Sequence, residues 1–273
     1  ELFFAVCPCP IIGITGSDGK TTTTTLVCEM LRHAGKTVHL GGNIGRPLLP
    51  RVNEMGPEDL AVVELSSFQL MHMKYSPSVA AITNLTPNHL DYHKDFEEYV
   101  EAKTAIYRNQ KPGDRLILNL DDKVTRSLHA SGNLFCTSKE SELANGVYLK
   151  NDTIYIAENG VSRELMAAGD IRIPGAHNVY NMMMAAAIVQ GWCTDEDIRA
   201  VAATFGGVEH RIEFVREKDG VKYYNDSIAS SPTRTIAGLA SFQQKVILIA
   251  GGYDKNIPYD VLGEPICRHV KTL

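Results

Sequence analysis

A glycine-rich stretch near the start of the chain, IIGITGSDGKTTTTTL, has the residue types that bind phosphate. Gly16 and Gly19 allow the backbone to turn its N–H groups toward phosphate oxygens. Lys20 is placed to reach the β- and γ-phosphates of a nucleotide, and the hydroxyl of Thr21 to bind Mg²⁺. One glycine of the general pattern is displaced by a position, to Gly13. We predict a phosphate loop between a strand and a helix.

Two further polar side chains lie at strand ends: Glu64 closes the predicted strand LAVVEL, and His89 lies a few residues beyond the predicted strand VAAITNL. They therefore fall at the carboxyl edge of a sheet, where ligands of open α/β sheets collect and a carboxylate suits Mg²⁺. Alone, each would be interpreted as a solvated or capping residue, but their position beside the phosphate loop favours a site. The sequence lacks the Asn-Lys-x-Asp motif that reads guanine, so ATP is favoured over GTP.

A lysine occupies the apolar face of the segment DFEEYVEAKTAIY, residues 95–107. At about 100° per residue, Lys103 falls among apolar side chains, with acidic ones on the opposite face. The apolar side chains are Phe96, Tyr99, Val100, Ile106 and Tyr107, and the acidic ones are Glu97, Glu98 and Glu101. Two interpretations remain open: Lys103 extends its ammonium to water along a buried stem, or it faces a site inside the protein.

Apolar, β-rich runs alternate with helix-period segments over the first two thirds of the chain. The predicted strands are PIIGIT, TVHL, LAVVEL, VAAITNL and DRLILNL, and a helix is predicted over residues 21–34. This alternation predicts an α/β fold with a mostly parallel sheet. The run VYLKNDTIYIA predicts a hairpin that turns at Asn151 and Asp152, and NVYNMMMAAAIVQGW predicts a helix.

The pattern changes near Val208, which predicts a second domain. RIEFVREKDGVKYYND predicts a hairpin with an Asp-Gly turn, SSPTRTIAGLA a helix that begins through Ser231 and Pro232, and KVILIAGG a strand. We predict a nucleotide-binding domain over residues 1–207 and an incomplete α/β domain over residues 208–273.

Composition excludes several classes of protein. A net charge of −5 leaves no basic excess for coating nucleic acid or a membrane surface. The apolar opening, LFFAVCPCPIIGI, is interrupted by two prolines and is too short to span a bilayer. Of the six cysteines only those of the CPC motif are close in sequence, so we predict free thiols in a reducing cytoplasm. Because the chain begins with Glu1 rather than Met, and the strand-like KVILIAGG is followed by only about one more element, we expect both ends to be cuts in a longer protein.

Nine motifs occur in an order that resembles the Mur ligases. They are GITGSDGKTT, GGNIG, ELSSFQL, TNLTPNHLDYH, EAKTAIY, PGAHNVYN, EHRIE, YNDSIASSPT and AGGYDK, and they cover nearly the whole chain. ELSSFQL and EHRIE resemble the members that add D-glutamate, and the family's TG-x-x-GK-[ST] loop accounts for the displaced glycine. The resemblance covers the family's central ATP-binding domain and the first half of its Rossmann-like third domain, but not its uridine-nucleotide domain.

The resemblance implies an ATP-dependent ligase of peptidoglycan precursor synthesis. ATP would phosphorylate the carboxylate of UDP-MurNAc-L-alanine to an acyl phosphate, and the amine of D-glutamate would displace phosphate, with two Mg²⁺ ions assisting. It also implies a bacterial cytoplasmic monomer, and we expect the 273-residue chain alone to be inactive as a ligase. A folylpolyglutamate-type ligase and a P-loop regulatory module that uses ATP as a switch are the alternatives.

The family's functional residues carry over position by position. Phosphate contacts would come from Gly16, Ser17, Asp18, Gly19, Lys20, Thr21 and Thr22; metal contacts from Thr21, Glu64, His89 and Lys103, the last as a carbamate formed with CO₂. Adenine, ribose and further phosphate contacts would come from His177, Asn178, Asn181, Arg211 and Asp226, and substrate contacts from Asn43, Ser66, Ser230 and Lys255. Lys20, Glu64, His89 and Lys103 would be the catalytic set.

Two positions depart from the family's pattern. Ile228 stands where a lysine is common, and Asn88 stands where an acidic residue is common. Arg234 is our candidate for the missing positive charge.

Overall fold

The computed structural model describes residues 1–87, 92–128, 133–229, 232–252 and 259–273. It contains two compact units, one of residues 1–171 and 179–204, and the other of residues 172–178 and 205–273. The boundary inferred from the sequence, after residue 207, stays a prediction. Within the described residues, no helix is long and apolar enough to cross a membrane.

Nine strands of the described residues form one sheet in the first unit. They are β1 (Ile11–Thr15), β2 (Val38–Gly42), β3 (Leu60–Glu64), β4 (Val79–Ile82), β5 (Arg115–Asn119), β6 (Asn133–Ser138), β7 (Gly146–Lys150), β8 (Thr153–Glu158) and β9 (Val161–Ala167). Their order is β2-β3-β1-β4-β5-β6-β7-β8-β9. All neighbours from β2 to β7 are parallel, and β8 and β9 add antiparallel hairpins. The prediction of a mostly parallel α/β sheet is confirmed.

Helices accompany this sheet: α1 (Leu2–Val6), α2 (Lys20–His33), α3 (Ser67–Leu70), α4 (Phe96–Arg108), α5 (Lys123–Arg126), α6 (Ala176–Ile188) and α7 (Asp195–Thr204). The division between the two units falls within α6. Strands β1 and β3 are buried along their whole length, as expected for central strands of a sheet that is covered on both faces.

The limits of α4 follow from its end residues. Asp95 is the N-cap, and its carboxylate accepts a hydrogen bond from the Glu98 N–H at 2.8 Å. Acidic residues in the first turn and Arg108 in the last turn complement the helix dipole. The rotation of α4 follows from its apolar face, which packs into the core and carries Tyr99 and Lys103 inward with it.

The turn at Asn151 and Asp152 between β7 and β8 is confirmed, with φ angles of 50° and 58°. These positive angles match the right-handed twist of a two-residue hairpin.

The first strands of the second unit are those of the predicted hairpin, β10 (Glu213–Lys218) and β11 (Val221–Asn225). The hairpin turns at Asp219 and Gly220, as expected. The other elements are α8 (Pro232–Ala240), β12 (Val246–Ile247), α9 (Gly263–His269) and β13 (Val270–Thr272). The strand predicted over KVILIAGG is much shorter than expected. In the described residues β12 pairs only with β13, and Ile249 is 96% exposed, so little burial stabilises a longer strand here.

Candidate active site

The carboxyl ends of the neighbouring strands β1 and β3 bring the phosphate loop and Glu64 to one edge of the sheet. Ile14 of β1 pairs with Glu64 of β3, and Thr15 of β1 pairs with Ile82 of β4. Thr15 and Glu64 therefore lie at the same edge of the sheet as the phosphate loop that follows β1. This is the edge at which open α/β sheets bind ligands.

The phosphate loop is held by residues that follow β4. The Asp18 carbonyl accepts hydrogen bonds from Thr83 Oγ1 at 2.6 Å and Asn84 Nδ2 at 3.1 Å, and the Asp18 N–H donates to Asn84 Oδ1. Gly16 and Gly19 have φ angles of 146° and 79°, which favour glycine. Thr83 and Asn84 were not among the predicted site residues, although both lie within the TNLTPNHLDYH motif.

Lys20 begins α2, and its side chain folds back over the loop. The ammonium donates hydrogen bonds to the carbonyls of Gly16 and Ser17, each at 2.9 Å. The positive end of the dipole of α2 lies at the same place, because Gly19 is its N-cap. Thr21 and Thr22 follow in the first turn. The loop therefore combines a cation and a helix N-terminus, which together attract phosphate.

Lys103 faces the phosphate loop from α4 and is only 2% exposed. Its ammonium donates to the Gly16 carbonyl at 2.9 Å and to Thr15 Oγ1 at 3.2 Å, and lies 4.9 Å from the centre of the Tyr99 ring. The interpretation that this ammonium extends to water is wrong, because the helix places it beneath the loop.

Burial is the main cause that lowers the pKa of Lys103, to about 7, and the nearby charge of Lys20 acts in the same direction. The carboxylates of Glu64 and Asp18 oppose the shift. A large fraction of this amine is therefore neutral near neutral pH, where an ordinary lysine is protonated.

Tyr99 connects α4 to the phosphate loop. Its hydroxyl lies 2.9 Å from Ser17 Oγ, which also donates to the Thr86 carbonyl. Burial raises the pKa of Tyr99 to about 12, so the phenol stays protonated. Tyr99 precedes Lys103 by one helical turn, a spacing that places the two side chains next to each other on the helix.

Glu64 is 1% exposed, and its two carboxylate oxygens differ. Oε1 accepts a hydrogen bond from Asn43 Nδ2 at 2.9 Å. Oε2 is buried and has no hydrogen-bond partner among the described residues. A buried carboxylate oxygen without a donor is an unusual and unfavourable arrangement in the absence of a cation.

Two other predicted residues of the first unit, Asn181 and Ser66, lie in different surroundings. Asn181 on α6 lies beside the loop: a Cβ atom added to Gly19 would overlap Asn181 Oδ1. Ser66 is the N-cap of α3 and forms a capping box with Gln69, which explains this serine structurally.

In the second unit, Arg211 and Asp226 are neighbours. The Asp226 carboxylate accepts a hydrogen bond from the Ile212 N–H at 3.1 Å. Burial raises the pKa of Asp226, and the charges of Arg211 and Arg234 oppose this shift. Arg234 also donates to the Ile228 carbonyl at 3.5 Å, so its charge lies beside the position where the family's lysine is missing.

Asn178 and His177 belong to the segment of the second unit at the start of α6. Asn178 is buried, and its amide donates to the Pro174 carbonyl at 2.6 Å. His177 lies next to Gly175. His89, Ser230 and Lys255 lie outside the described residues, as does Asn88.

Gly16 gives a direct test of the loop conformation. In Gly16→Ala the new methyl group would overlap Thr83 Oγ1 at a φ that L-residues rarely adopt, so we expect a loss of about 2–3 kcal/mol in the free energy of unfolding. Gly35 also has a positive φ but open space around it, so Gly35→Ala should lose only about 1 kcal/mol. Urea unfolding followed by fluorescence of the single tryptophan, Trp192, measures both. Equal losses would contradict the close approach to Thr83.

The fold and the site together define a P-loop α/β protein with a buried lysine and a buried carboxylate beside its phosphate loop. The sequence profile of the Mur ligase middle domain matches residues 14–189. The chain therefore belongs to the Mur ligase family.

Two bacterial relatives agree with this assignment. The chain is 56% identical to the UDP-N-acetylmuramoylalanine--D-glutamate ligase of Acetivibrio thermocellus and 53% identical to that of Clostridium novyi. Each alignment covers 100% of the chain but 59% of the relative. The chain thus spans less than two thirds of the length of these proteins.

Solved structures show the same fold at low identity. A UDP-N-acetylmuramoylalanyl-D-glutamyl-2,6-diaminopimelate--D-alanyl-D-alanyl ligase from Acinetobacter baumannii superposes with a TM-score of 0.68 at 20% identity, covering 87% of this chain and 55% of that one. The MurF ligase from Thermotoga maritima in complex with ADP gives a TM-score of 0.63 at 21% identity, covering 88% and 58%.

Proposed function

We propose that the chain is the ATP-binding core of a ligase that joins D-glutamate to UDP-MurNAc-L-alanine in peptidoglycan precursor synthesis. The observation that carries the proposal is the 56% identity, over the whole chain, to a relative that is named for this reaction. The phosphate loop, Lys20 and the buried pair Glu64 and Lys103 supply the groups that the chemistry needs. The ADP complex of the Thermotoga maritima structure supports ATP as the nucleotide.

The reaction needs ATP because a carboxylate is a poor electrophile. Its oxygen attacks the γ-phosphorus of ATP, ADP leaves, and the resulting acyl phosphate carries a good leaving group. The amine of D-glutamate then attacks the acyl carbon, loses a proton, and phosphate departs as the amide forms. Phosphoryl transfer of this kind depends mainly on position and on charge neutralisation. Lys20 and the N-terminus of α2 provide both for the phosphates.

The buried oxygen Oε2 of Glu64 fits a metal ion, because it lacks a hydrogen-bond donor among the described residues. Thr21 and Glu64 would hold one Mg²⁺, and His89 and Lys103 a second. Bound Mg²⁺ neutralises charge on the transferring phosphoryl group. Asn43 would keep the Glu64 carboxylate oriented through its hydrogen bond to Oε1.

Lys103 would serve the second metal ion as a carbamate formed with CO₂. The reaction requires a neutral amine, and the pKa of Lys103, about 7, supplies it near neutral pH. The product is an anion in place of a cation. It would remove the repulsion between the half-buried positive charge of Lys20 and the positive charge of the buried Lys103.

The other predicted contacts concern the substrates. Loop contacts to phosphate would come from Gly16, Ser17, Asp18, Gly19 and Thr22, adenine contacts from His177, Asn178 and Asn181, and phosphate and ribose contacts from Arg211 and Asp226. Asn43 and Ser66 would face the nucleotide sugar, and Ser230 and Lys255 the D-glutamate. We further propose that the protein acts in the bacterial cytoplasm as a monomer.

The test uses a chimera in which residues 1–273 replace the matching part of the Acetivibrio thermocellus relative. We expect phosphate release from ATP that requires both UDP-MurNAc-L-alanine and D-glutamate. Turnover with a folate substrate would instead support a folylpolyglutamate-type ligase, and turnover indifferent to both substrates would support a P-loop regulatory module. The 273-residue chain alone is the control and should give no ligation product, because it spans only 59% of the relative.

A further inference from the structure

Cys7 and Cys9 lie at the opposite end of β1 from the phosphate loop. Cys9 precedes the first residue of β1, Ile11, by two positions, whereas the loop follows the last residue, Thr15. All six cysteines are free thiols, as predicted. The CPC motif therefore has no part in the site described above.

The two sulfur atoms of this motif face each other. Their Sγ atoms are 3.6 Å apart, and the Cys7 thiol also lies 3.5 Å from the Cys9 carbonyl oxygen. Pro8 and Pro10 restrict the backbone on either side of Cys9. Cys7 has φ −63° and ψ 124°, the extended conformation that a following proline favours. The backbone therefore holds the thiols close together.

The two thiols differ in access. Cys7 is half-buried, whereas Cys9 is buried in an apolar cluster that includes Phe3 and Ile11. Burial, followed by contact with Cys7, raises the pKa of Cys9 to about 12. A small polar oxidant would therefore meet Cys7 first, with Cys9 directly behind it as a second thiol.

We propose that Cys7 and Cys9 form a reversible oxidation site for hydroperoxides. The Cys7 sulfur attacks the peroxide oxygen, the O–O bond breaks, and Cys7 becomes a sulfenic acid as the peroxide is reduced to water or an alcohol. The Cys9 sulfur then displaces the sulfenic oxygen, which leaves as water with the Cys9 proton, and the S–S bond forms. The sulfur atoms need to approach by only about 1.5 Å to reach disulfide length. Small thiols would reduce this short-loop disulfide.

The test treats the 273-residue chain with hydrogen peroxide, removes the peroxide, unfolds the chain in guanidinium chloride so that the buried Cys9 and Cys28 are accessible, alkylates the remaining thiols and digests with trypsin. The peptide that ends at Lys20 contains Cys7 and Cys9 and no other cysteine, and the next peptide, ending at Arg32, contains only Cys28. We expect the first peptide to lose both alkylation sites and become lighter by two hydrogen atoms. Dithiothreitol should reverse this change. The Cys28 peptide should remain alkylated.

Two variants assign the roles of the thiols. In Cys9→Ser we expect a sulfenic acid on Cys7 that a dimedone probe captures, and no disulfide. Cys7 is half-buried, so Cys7→Ser should be tolerated more easily than Cys9→Ser. In this variant the peptide that ends at Lys20 should resist oxidation. Circular dichroism checks that each variant is folded.

Three outcomes would overturn the proposal. The first is retention of both thiols at a peroxide dose that oxidises the exposed Cys267. The second is a disulfide from Cys7 to a cysteine other than Cys9. The third is oxidation of Cys9 in folded Cys7→Ser at the rate of the parent chain.

Discussion

Replacing Lys103 by alanine in the chimeric ligase is expected to lower kcat by about 10²–10³-fold, the range found when an active site loses one preorganised group that stabilises the transition state. The proposed carbamate would supply a negative ligand beside Gly16 and Thr15, which the Lys103 amine now contacts. Phosphate release in the presence of both substrates measures the loss. Short carboxylic acids should restore part of the activity, because alanine leaves space for a carboxylate near the metal.

The variant Lys103→Met distinguishes a chemical role of the Lys103 amine from a packing role of its side chain. Methionine fills most of the volume of the lysine stem, so the variant should lose activity without being rescued by acetate or propionate. Lys111→Ala, at an exposed lysine beyond the end of α4, is the matched control and should be silent. Wild-type kcat in folded Lys103→Met would show that Lys103 has only a packing role.

The same lysine gives a pH-dependent signal. Labelling with ¹³CO₂ should produce a carbamate resonance that is absent in Lys103→Met. Because the pKa of Lys103 is lowered to about 7, the neutral amine that reacts with CO₂ increases as pH rises through that value. At fixed dissolved CO₂ the resonance should therefore grow between about pH 6 and about pH 8, whereas an ordinary lysine would need about pH 10. No change across this range would contradict the lowered pKa.

Local patterns were sufficient to predict the elements that carry the site. The apolar period of α4 placed Lys103 inside, and the strand, glycines and helix around Lys20 placed the phosphate loop. Both are short-range features, in which the residues that decide the structure lie within a few turns of one another. The hairpins at Asn151 and Asp219 were predictable for the same reason, since their turn residues tolerate positive φ.

Contacts between distant segments were not predictable in the same way. Asp18 contacts Thr83 because β1 and β4 are neighbours in a particular register, and Ser17 contacts Tyr99 because α4 packs beside the loop. Both strands are buried along their whole length, so their almost uniformly apolar sequences have no alternation from which the register could be predicted. Periodicity could place Lys103 inside the protein but could not decide that its amine lies against Gly16. The strand β9 was missed because its first four residues are exposed and include Arg163 and Glu164, so it has no apolar run.

Glu64→Gln is expected to abolish the stabilisation of the first unit by Mg²⁺ and to lower kcat by about 10²-fold. Glutamine keeps the shape of the side chain and can still accept the hydrogen bond from Asn43 at its Oε1 position. It removes the negative charge at the buried Oε2 position, which is the group proposed to bind the cation. Urea unfolding followed by Trp192 fluorescence, with nucleotide and increasing Mg²⁺, measures the first effect, and phosphate release the second.

The change that Glu64→Gln makes to the free energy of unfolding in the absence of Mg²⁺ distinguishes a metal ligand from a structural carboxylate. A buried charge that lacks a full set of partners opposes folding, so in the absence of Mg²⁺ the Gln variant should be at least as stable as the parent chain. If Glu64 were structural, the variant should be less stable under all conditions. Glu58→Gln makes the same charge change at an exposed position and should leave both measurements unchanged. A Gln variant that keeps the Mg²⁺ dependence of the parent would remove Glu64 from the proposed metal site, because the neutral side chain cannot replace a carboxylate beside phosphates.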